Sequence, residues 1–459
     1  MMPPLWAMGE QGEKRPSPPA AYQRVPSLSG GTGGKRLNYD PLHGSGGAGG
    51  GAEFSASSVT LTGALNLSSG SDGDTTNGGQ GAGGAASFTA GTLIAPTIDL
   101  TKQDGDLTFT VGALNVNQTT ALTLNKGTAP GNFTVSVNGL AFSNGSALTV
   151  TRTQGTETFT AFGGNLSVAG AGNALNSLLA FDASGTGKTH TFNLTGLAAG
   201  STMLTAQTST LNIGGANIAL TGDQPALNLG QSVTLLSNTS GTQATASYTT
   251  TGAVQYGYAF SNPGGNSLAL FHNSVNTSGD WTAPTSTYSA DSTNGAVSLK
   301  VGGVLSGVSV LNLTEAGGNN LTVDIGTLDA VTNNLTVNLT GTTAGNGVTG
   351  VRFDTLNLGG GNTFQITGAG AYTGFNTYNV YGQSTYQGNL NAAGKAMHFL
   401  LPSTASSGQT LLTVNGNADL TGTNINLGHQ SVRPNLAVGQ SLTLLSATAL
   451  THDITTLTV

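Results

Sequence analysis

The sequence predicts an all-β protein of the parallel β-helix (β-solenoid) class, and three observations support this fold class. Charged residues make up only 7% of the chain, and glycine fills 71 of its 459 positions, whereas a typical soluble domain is about 25% charged. Short runs of alternating apolar and polar residues recur from about Phe54 onward, separated by Gly, Asn, Ser and Asp. One long segment occurs twice. These features favour many short strands joined by turns.

The alternating runs predict strands that place aliphatic side chains on one face and Thr, Ser or Asn on the other. Glycine-rich turns lie between them, such as residues 317–320 (GGNN) and 359–362 (GGGN). Asparagine side chains stacked from turn to turn are expected to satisfy one another's amides. The clearest runs are 133–137 (FTVSV), 147–150 (ALTV), 308–313 (VSVLNL), 321–325 (LTVDI) and 335–339 (LTVNL).

The length of the repetitive region favours a solenoid over a sandwich or barrel. A single sandwich or barrel stops growing at about 250 residues, whereas a solenoid can be extended because each turn contacts only its neighbours. We therefore interpret residues 53–459 as one β-solenoid, with about 22 residues per turn. Disorder is the competing interpretation for a chain rich in Gly and Ser, and the recurrent β-branched runs argue against it.

Residues 1–52 differ from the rest and are predicted to be a flexible, disordered leader. They contain seven of the fourteen prolines and five of the thirteen basic residues, and they have too little apolar surface to fold alone.

Charge and cysteine content exclude several classes of protein. The net charge is −7, and the body has no cluster of Lys and Arg of the kind that neutralises phosphates, so no nucleic-acid partner is predicted. The chain has no cysteine, so stability is expected from stacking and not from disulfides. No run of eighteen apolar residues predicts a membrane-spanning helix.

An internal duplication relates about residues 160–240 to about residues 375–459. Three pairs of blocks share an offset of 207 to 209 positions. They are 187–192 (GKTHTF) and 394–399 (GKAMHF), 200–205 (GSTMLT) and 408–413 (GQTLLT), and 230–237 (GQSVTLLS) and 439–446 (GQSLTLLS).

The duplicated region resembles a segment repeated in the passenger domains of bacterial autotransporters, which use type V secretion. The resemblance is carried by residues 386–395 (YQGNLNAAGK), 399–402, 412–422 (LTVNGNADLTG) and 439–446. It implies a right-handed parallel β-helix, exposed on the outer membrane of a Gram-negative bacterium or secreted. Its implied partner is its own C-terminal translocator barrel. Because no barrel strands and no signal peptide are recognisable, the chain is expected to be a truncated passenger or the product of a split gene.

The expected function is that of an adhesin: a structural rod that mediates cell attachment, through host-surface or matrix molecules, or self-association. The alternatives are a β-helical enzyme acting on polysaccharides and an inert stalk for a missing functional domain. The sequence lacks G-x-S-x-G, G-x-x-x-x-G-K-[ST] and H-E-x-x-H motifs. We therefore predict no enzyme activity, no catalytic, cofactor-binding or metal-binding residues, and no cofactor.

A few polar residues have two interpretations. The pairs Asp72/Asp74 and Asp104/Asp106 could offer oxygen ligands to calcium, although Asp-Gly turns explain them more simply. His190 and His398 lie at near-equivalent points of the duplication, which favours a structural role.

Two aromatic clusters are also open to a functional reading. The first cluster comprises Trp281, Tyr248, Tyr256, Tyr258 and Tyr288, and it is either a loop on which a sugar stacks or simply packing within a loop. The second cluster comprises Tyr372, Tyr378, Tyr381 and Tyr386, and it is expected to cap or cover an edge of the solenoid.

Overall fold

The computed structural model confirms an all-β protein. Across the part of the chain that the structure describes, no residue is helical, and the long sheets are built from parallel strand pairs. Long parallel sheets are the arrangement expected of a β-solenoid. The described residues are 27–29, 50–71, 83–128, 131–143, 145–153, 161–177, 179–239, 242–244, 249–251, 257–261, 266–453 and 456–458.

The described strands are short and follow one another along the whole chain. The first nineteen are β1 (Ser27–Ser29), β2 (Ala52–Thr60), β3 (Leu65–Ser68), β4 (Ala86–Ile94), β5 (Thr97–Thr101), β6 (Leu107–Val116), β7 (Thr120–Asn125), β8 (Phe133–Ser143), β9 (Ala147–Arg152), β10 (Ala161–Ala169), β11 (Asn173–Ser177), β12 (Phe181–Asp182), β13 (Thr189–Asn193), β14 (Thr202–Gln207), β15 (Thr210–Asn212), β16 (Asn217–Thr221), β17 (Ser232–Asn238), β18 (Thr242–Ala244) and β19 (Thr249–Thr251).

The remaining strands continue the same pattern. They are β20 (Tyr258–Ser261), β21 (Ser267–His272), β22 (Ser274–Thr277), β23 (Trp281–Thr282), β24 (Thr287–Asp291), β25 (Val297–Ser306), β26 (Val310–Thr314), β27 (Leu321–Ala330), β28 (Leu335–Thr340), β29 (Gly350–Leu358), β30 (Thr363–Gly368), β31 (Thr377–Val380), β32 (Ser384–Gln387), β33 (Leu390–Asn391), β34 (Ala396–Leu401), β35 (Thr410–Thr421), β36 (Asn424–His429), β37 (Thr443–Asp453) and β38 (Thr456–Thr458).

The chain forms two compact units. The first comprises Met1–Pro225, Val233–Val254 and Phe260–Leu270, and the second comprises Ala226–Ser232, Gln255–Ala259 and Phe271–Val459.

In the first unit, successive strands alternate between two sheets. One sheet has the order β1-β3-β5-β7-β9-β11-β14-β17-β21-β20, and the other has the order β18-β15-β12-β10-β8-β6-β4-β2. The second sheet branches at β10, which also pairs with β13, and the branch continues through β16 to β19. Strand β10 therefore lies at a fork.

The second unit repeats the alternation without such a branch at its centre. Its sheets run β22-β25-β27-β29-β31-β34-β36-β38, with β23 beside β25, and β24-β26-β28-β30-β32-β35-β33, with β37 beside β35. Because the strands are parallel and in register, equivalent side chains lie about 4.8 Å apart from strand to strand.

Each unit buries a continuous row of apolar side chains. In the first, the ring of Phe88 stacks on that of Phe54 at 5.1 Å and on that of Phe109 at 5.5 Å. In the second, Leu299 and Val323 are register partners and both are fully buried. Burial of one such aliphatic side chain contributes about 1.5–3 kcal/mol, so these rows are the main source of stability.

The duplicated segments adopt the same pairing. Thr202 and Leu204 of β14 pair with Thr234 and Leu236 of β17. In the second copy, Thr410 and Leu412 of β35 pair with Thr443 and Leu445 of β37. The repetition seen in the sequence is therefore a repetition of strands and register.

Two details differ from the sequence-based predictions. The predicted leader contains a strand, β1, in which Leu28 pairs with Leu67; a three-residue strand needs only backbone hydrogen bonds to an open edge, which composition does not reveal. The spacing of paired residues also varies, from 19 (Thr377 to Ala396) to 39 (Leu28 to Leu67). Turns of different length absorb this variation, so 22 residues per turn is not a fixed period.

Candidate functional site

Rows of polar side chains form the outer face of the second unit. One row crosses four strands through a continuous chain of hydrogen bonds. The hydroxyl of Thr367 donates to Oδ1 of Asn338, the amide of Asn338 donates to Asn312 at 2.8 Å, and the amide of Asn312 donates to the Ser289 hydroxyl at 3.3 Å. The sequence predicted such amide contacts between turns, whereas Asn312 and Asn338 make this contact from within strands.

A second row lies on the neighbouring sheet. Its members are in register and are Asp329, Asn357, Asn379, His398 and Asn426. The amide of Asn379 donates to Oδ1 of Asn357 at 2.9 Å. Two positions earlier in each strand, Thr327, Thr355 and Thr377 form a parallel row. The result is a regular polar surface with few charges.

Three charged residues of this sheet, Lys300, Asp324 and Arg352, lie in register in one row next to Asn276. The guanidinium of Arg352 contacts Asp324 at 3.1 Å and Asp354 at 3.3 Å. A Cβ on Gly347 would lie 2.7 Å from the Asp324 carboxylate. The Arg352 ion pairs therefore lie under the loop that precedes β29.

The fork in the first unit is held by His190. The register between β8 and β10 shifts between Phe162 and Asn165, and the two ends of β10 then pair with different strands, Gly163 with Asp182 of β12 and Ser167 with Thr191 of β13. His190 bridges the gap. Its Nδ1 accepts a hydrogen bond from the Leu166 N–H at 3.2 Å, and its Nε2 donates to the Ala183 carbonyl at 3.0 Å.

These contacts fix the protonation state of His190. A ring whose Nδ1 accepts and whose Nε2 donates is the neutral tautomer protonated at Nε2. The side chain is fully buried, and this burial lowers the pKa of His190, while the bond to Ala183 opposes the shift and the nearby Lys188 adds to it. The imidazole replaces backbone hydrogen bonds that the fork removes.

Two glycines make the fork possible. A Cβ on Gly163 would overlap the carbonyl oxygen of Asp182, and a Cβ on Gly164, whose φ is +87°, would overlap that of Asn138. Gly164 thus needs both the left-handed backbone conformation and the absence of a side chain.

An open cleft of about 460 Å³ lies at the fork. Asp182 and Lys188 stand at the two ends of the turn between β12 and β13, and both line it. The other described lining residues are Val137, Asn138, Ala161, Phe162, Gly163, Gly164, Leu179 and Ala180. Sequence reasoning missed this cleft. The one available signal was the turn Ala183–Lys188, which is two residues longer than its counterpart Ala392–Lys395.

The two histidines of the duplication are not structurally equivalent. In β34, Met397 is the fully buried residue, while His398 lies on the outward face between Asn379 and Asn426. His190 therefore corresponds to Met397. A displacement of one residue along a strand moves a side chain to the opposite face, so near-equivalence in sequence did not imply a shared role. In the second copy, the Tyr378 hydroxyl donates to the neighbouring Asn391 carbonyl at 3.0 Å.

The acidic pair that falls within the described residues has its own structural role. Oδ1 of Asp106 accepts a hydrogen bond from the Asn132 N–H at 2.7 Å, which holds two turns together. Across the described ranges, no three His, Cys, Asp or Glu side chains are grouped as a metal site would require. Asp72 and Asp74 lie outside the described residues.

The aromatic clusters are parts of the packed interior. Trp281 is half-buried and contacts the ring of the fully buried Tyr288 edge-on at 5.1 Å. Tyr378 and Tyr386 were expected to cover an edge but belong to the core, because their rings pack among Phe364 and Phe375. Burial raises the pKa of both tyrosines. Tyr248 and Tyr256 lie outside the described residues.

Tyr258 and His272 form a clamp on one backbone segment. Their rings stack at 4.4 Å. The Leu227 N–H donates to the Tyr258 hydroxyl at 3.3 Å, and Nδ1 of His272 bonds to the Leu227 carbonyl at 2.7 Å. Burial lowers the pKa of His272. This pair holds the backbone of Leu227 on both sides and was not evident from the sequence.

Comparison with protein-family models, with curated proteins and with solved structures finds no match to this chain. Among the residues that the structure describes, no apolar helix reaches the length needed to cross a membrane.

Proposed function

We propose that this chain is a right-handed β-helical passenger of the autotransporter kind. It acts as a structural and adhesive surface on a Gram-negative bacterium, or after release from it. The sequence resemblance in the duplicated region supports the secretion route, and the regular outer face of the second unit supports the adhesive role.

The observation that carries the proposal is the outward row of Thr327, Thr355 and Thr377 beside the row of Asn357, Asn379 and Asn426. Hydroxyl and amide groups in such rows offer repeated weak contacts at a spacing of about 4.8 Å. Many weak contacts made at once give strong overall attachment, because each bound contact raises the effective concentration of the next. A surface of this kind suits another polar repetitive surface, including a second copy of the chain.

Two experiments on intact cells test the proposal. An antibody against the chain should label unpermeabilised cells of the source bacterium, and deletion of the gene should reduce cell aggregation and attachment. Complementation with the full gene should restore both. Attachment that is unchanged in the deletion strain would contradict the adhesive role, and labelling that requires permeabilised cells would contradict surface display.

A matched pair of variants connects the phenotype to the polar face. Thr355→Arg places a long charged side chain in the middle of the threonine row, whereas Thr332→Arg changes an exposed turn residue of the same unit. Complementation with Thr355→Arg should restore less aggregation than Thr332→Arg. Equal restoration by the two variants, at equal surface levels, would contradict a role for these rows.

The alternative of an enzyme acting on polysaccharides requires two carboxyl groups on either side of a sugar linkage. The cleft of the first unit contains one carboxylate, that of Asp182, among its described lining residues. Binding, and not hydrolysis, is therefore the activity that we consider for this cleft.

A further inference from the structure

The walls of the cleft in the first unit are held in place by the backbone. Asp182 lies in β12, where it pairs with Gly163 on one side and Asn212 on the other. The N–H of Lys188 donates to the Gly185 carbonyl at 3.0 Å, and its carbonyl accepts from the Asn217 N–H at 2.9 Å. The backbones of both charged residues are thus fixed at the cleft before any ligand arrives, which reduces the entropic cost of binding.

The charged side chains at the cleft can accept or donate further hydrogen bonds. Oδ1 of Asp182 accepts hydrogen bonds from the N–H and the hydroxyl of Ser184, at 3.1 and 2.7 Å. Within the described chain, no side chain or backbone N–H donates to Oδ2 of Asp182, and no carboxylate pairs with the ammonium of Lys188. The exposed Asn138 adds an amide at the rim.

The chemistry of these groups selects a class of ligand. One carboxylate and one ammonium cancel in net charge, so the cleft has no net attraction for an anion or a cation. Together with Asn138, which lines the same cleft, they offer both acceptors and donors, which a row of hydroxyl groups satisfies. The half-buried Leu179 supplies apolar contact. A volume of about 460 Å³ lies within the range of small-molecule sites, about 300–1,000 Å³.

We infer that the cleft at the fork of β10 is a binding site for a neutral sugar unit. The Asp182 carboxylate accepts from two sugar hydroxyls, and the Lys188 ammonium donates to a third. This site goes beyond the adhesive role of the second unit, and it stands whether or not the protein is displayed on a cell.

The duplication provides an internal comparison. In the second copy, the residue that corresponds to Asp182 is Asn391, whose Oδ1 accepts from the Ala393 N–H at 3.2 Å. The residue that corresponds to Lys188 is Lys395, whose Nζ donates to Asn376 at 3.0 Å. The second copy has therefore lost the carboxylate and has engaged the ammonium elsewhere, so we expect the sugar site in the first unit alone.

The test is saturation-transfer NMR on the purified full chain with four probes, the methyl glycosides of glucose, galactose, mannose and N-acetylglucosamine. At least one probe should receive saturation. Asp182→Asn and Lys188→Gln should each weaken its binding by at least about tenfold, since each removes a charged hydrogen-bonding partner. The controls Asp223→Asn, at an exposed residue, and Lys395→Gln, at the half-buried counterpart of Lys188, alter charges that do not line the cleft, and both should bind as the unmodified chain does.

Circular dichroism and the thermal midpoint establish that each variant is folded, which is expected because Asp182 is exposed and Lys188 is only half-buried. Three outcomes overturn the inference. They are no saturation of any of the four glycosides, equal binding by the cleft variants and the controls, and binding of free glycine or glycylglycine without binding of the glycosides. Because the assay uses purified protein, its failure is distinguishable from a failure of the cell-attachment experiments.

Discussion

The Nε2–H of His190 donates to the carbonyl oxygen of Ala183 at 3.0 Å, and this bond joins the two arms of the fork in the first unit. On its other side the ring accepts the N–H of Leu166 at 3.2 Å. A buried imidazole thus supplies one donor and one acceptor where a parallel ladder would have supplied both from backbone.

Replacement of His190 is expected to destabilise the first unit. His190→Met, which introduces the residue type found at position 397, should lower the free energy of unfolding by about 2–4 kcal/mol, because two buried backbone groups lose their partners. Urea unfolding measures this loss, and amide exchange at Leu166 locates it. His398→Met, on the outward face, is the control and should change stability by less than about 1 kcal/mol. Equal losses from the two variants would contradict the bridging role.

Acidification is expected to weaken both units through their buried histidines. Burial lowers the pKa of His190 and of His272 below the ordinary value of 6.5 for a histidine. Below that value the unfolded chain takes up protons that the folded chain excludes, so stability falls as the pH drops toward the lowered pKa. The urea midpoint should be lower at about pH 5.5 than at about pH 7.5. His190→Met should reduce the difference between the urea midpoints of the first unit at the two pH values. An unchanged pH dependence in this variant would contradict a role for His190 in the loss of stability at low pH.

Alanine substitutions can distinguish the role of Gly164 at the fork from that of an ordinary turn glycine such as Gly200. Gly164 and Gly200 both have positive φ, +87° and +77°, but a Cβ would meet the Asn138 backbone at Gly164 and open space at Gly200. Gly200→Ala should cost about 1 kcal/mol, the strain of a left-handed residue. Gly164→Ala should cost several times more, because backbone must move. Similar thermal midpoints for the two variants would show that the close approach at Gly164 is not needed.

The asparagine row should contribute measurably to the second unit. Asn338→Ala removes the donor to Asn312 and the acceptor for Thr367, and we expect a loss of about 1–2 kcal/mol. Asn320→Ala changes an exposed turn residue and serves as the matched control. Chemical unfolding of the two variants provides the comparison. If Asn338→Ala were as stable as Asn320→Ala, the hydrogen-bonded row would make no contribution to the stability of the second unit.

Arg352 is expected to hold the loop that precedes β29 in place while contributing little to the overall free energy of unfolding. The side chains of Arg352, Asp324 and Asp354 are 33%, 30% and 39% exposed, and ion pairs of this kind contribute about 0–1 kcal/mol. Arg352→Gln should therefore leave the unfolding midpoint nearly unchanged, while amide exchange in residues 343–350 becomes faster, with a smaller difference at high salt. Lys300→Gln, in the same row, should affect neither. Unchanged exchange in the Arg352 variant would remove the proposed support of that loop.

Periodicity predicted the strands well and the special features poorly. The alternation in residues 335–339 became β28, because period-two patterning reports directly which face is buried. A Gly-Gly pair usually marks a turn, but the pair Gly163–Gly164 lies inside strand β10. Whether a glycine ends a strand or lets two backbones approach depends on a neighbour about 20 residues away, which local sequence does not specify.

The same limit applies to the candidate sites. Lys300, Asp324 and Arg352 become neighbours only through register, and turns of unequal length make that register unpredictable from spacing. His190 and His398 were judged alike because their offset was nearly constant, and a single residue of difference placed one in the core and the other on the surface. Sequence reasoning therefore identified the all-β class and the polar rows, and it missed the fork, the cleft and the contacts of Tyr258 and His272 with Leu227.

The alternation of successive strands between two sheets has a consequence for how such a protein can evolve. A closed barrel or a sandwich must keep a set number of strands, whereas here a segment that adds one strand to each sheet leaves every earlier hydrogen bond intact. Insertion or loss of whole segments is then a tolerated change, while a single-residue slip inside a strand is not. Such a gene can lengthen or shorten by copying its own parts, and variation in size among related strains would be its natural signature.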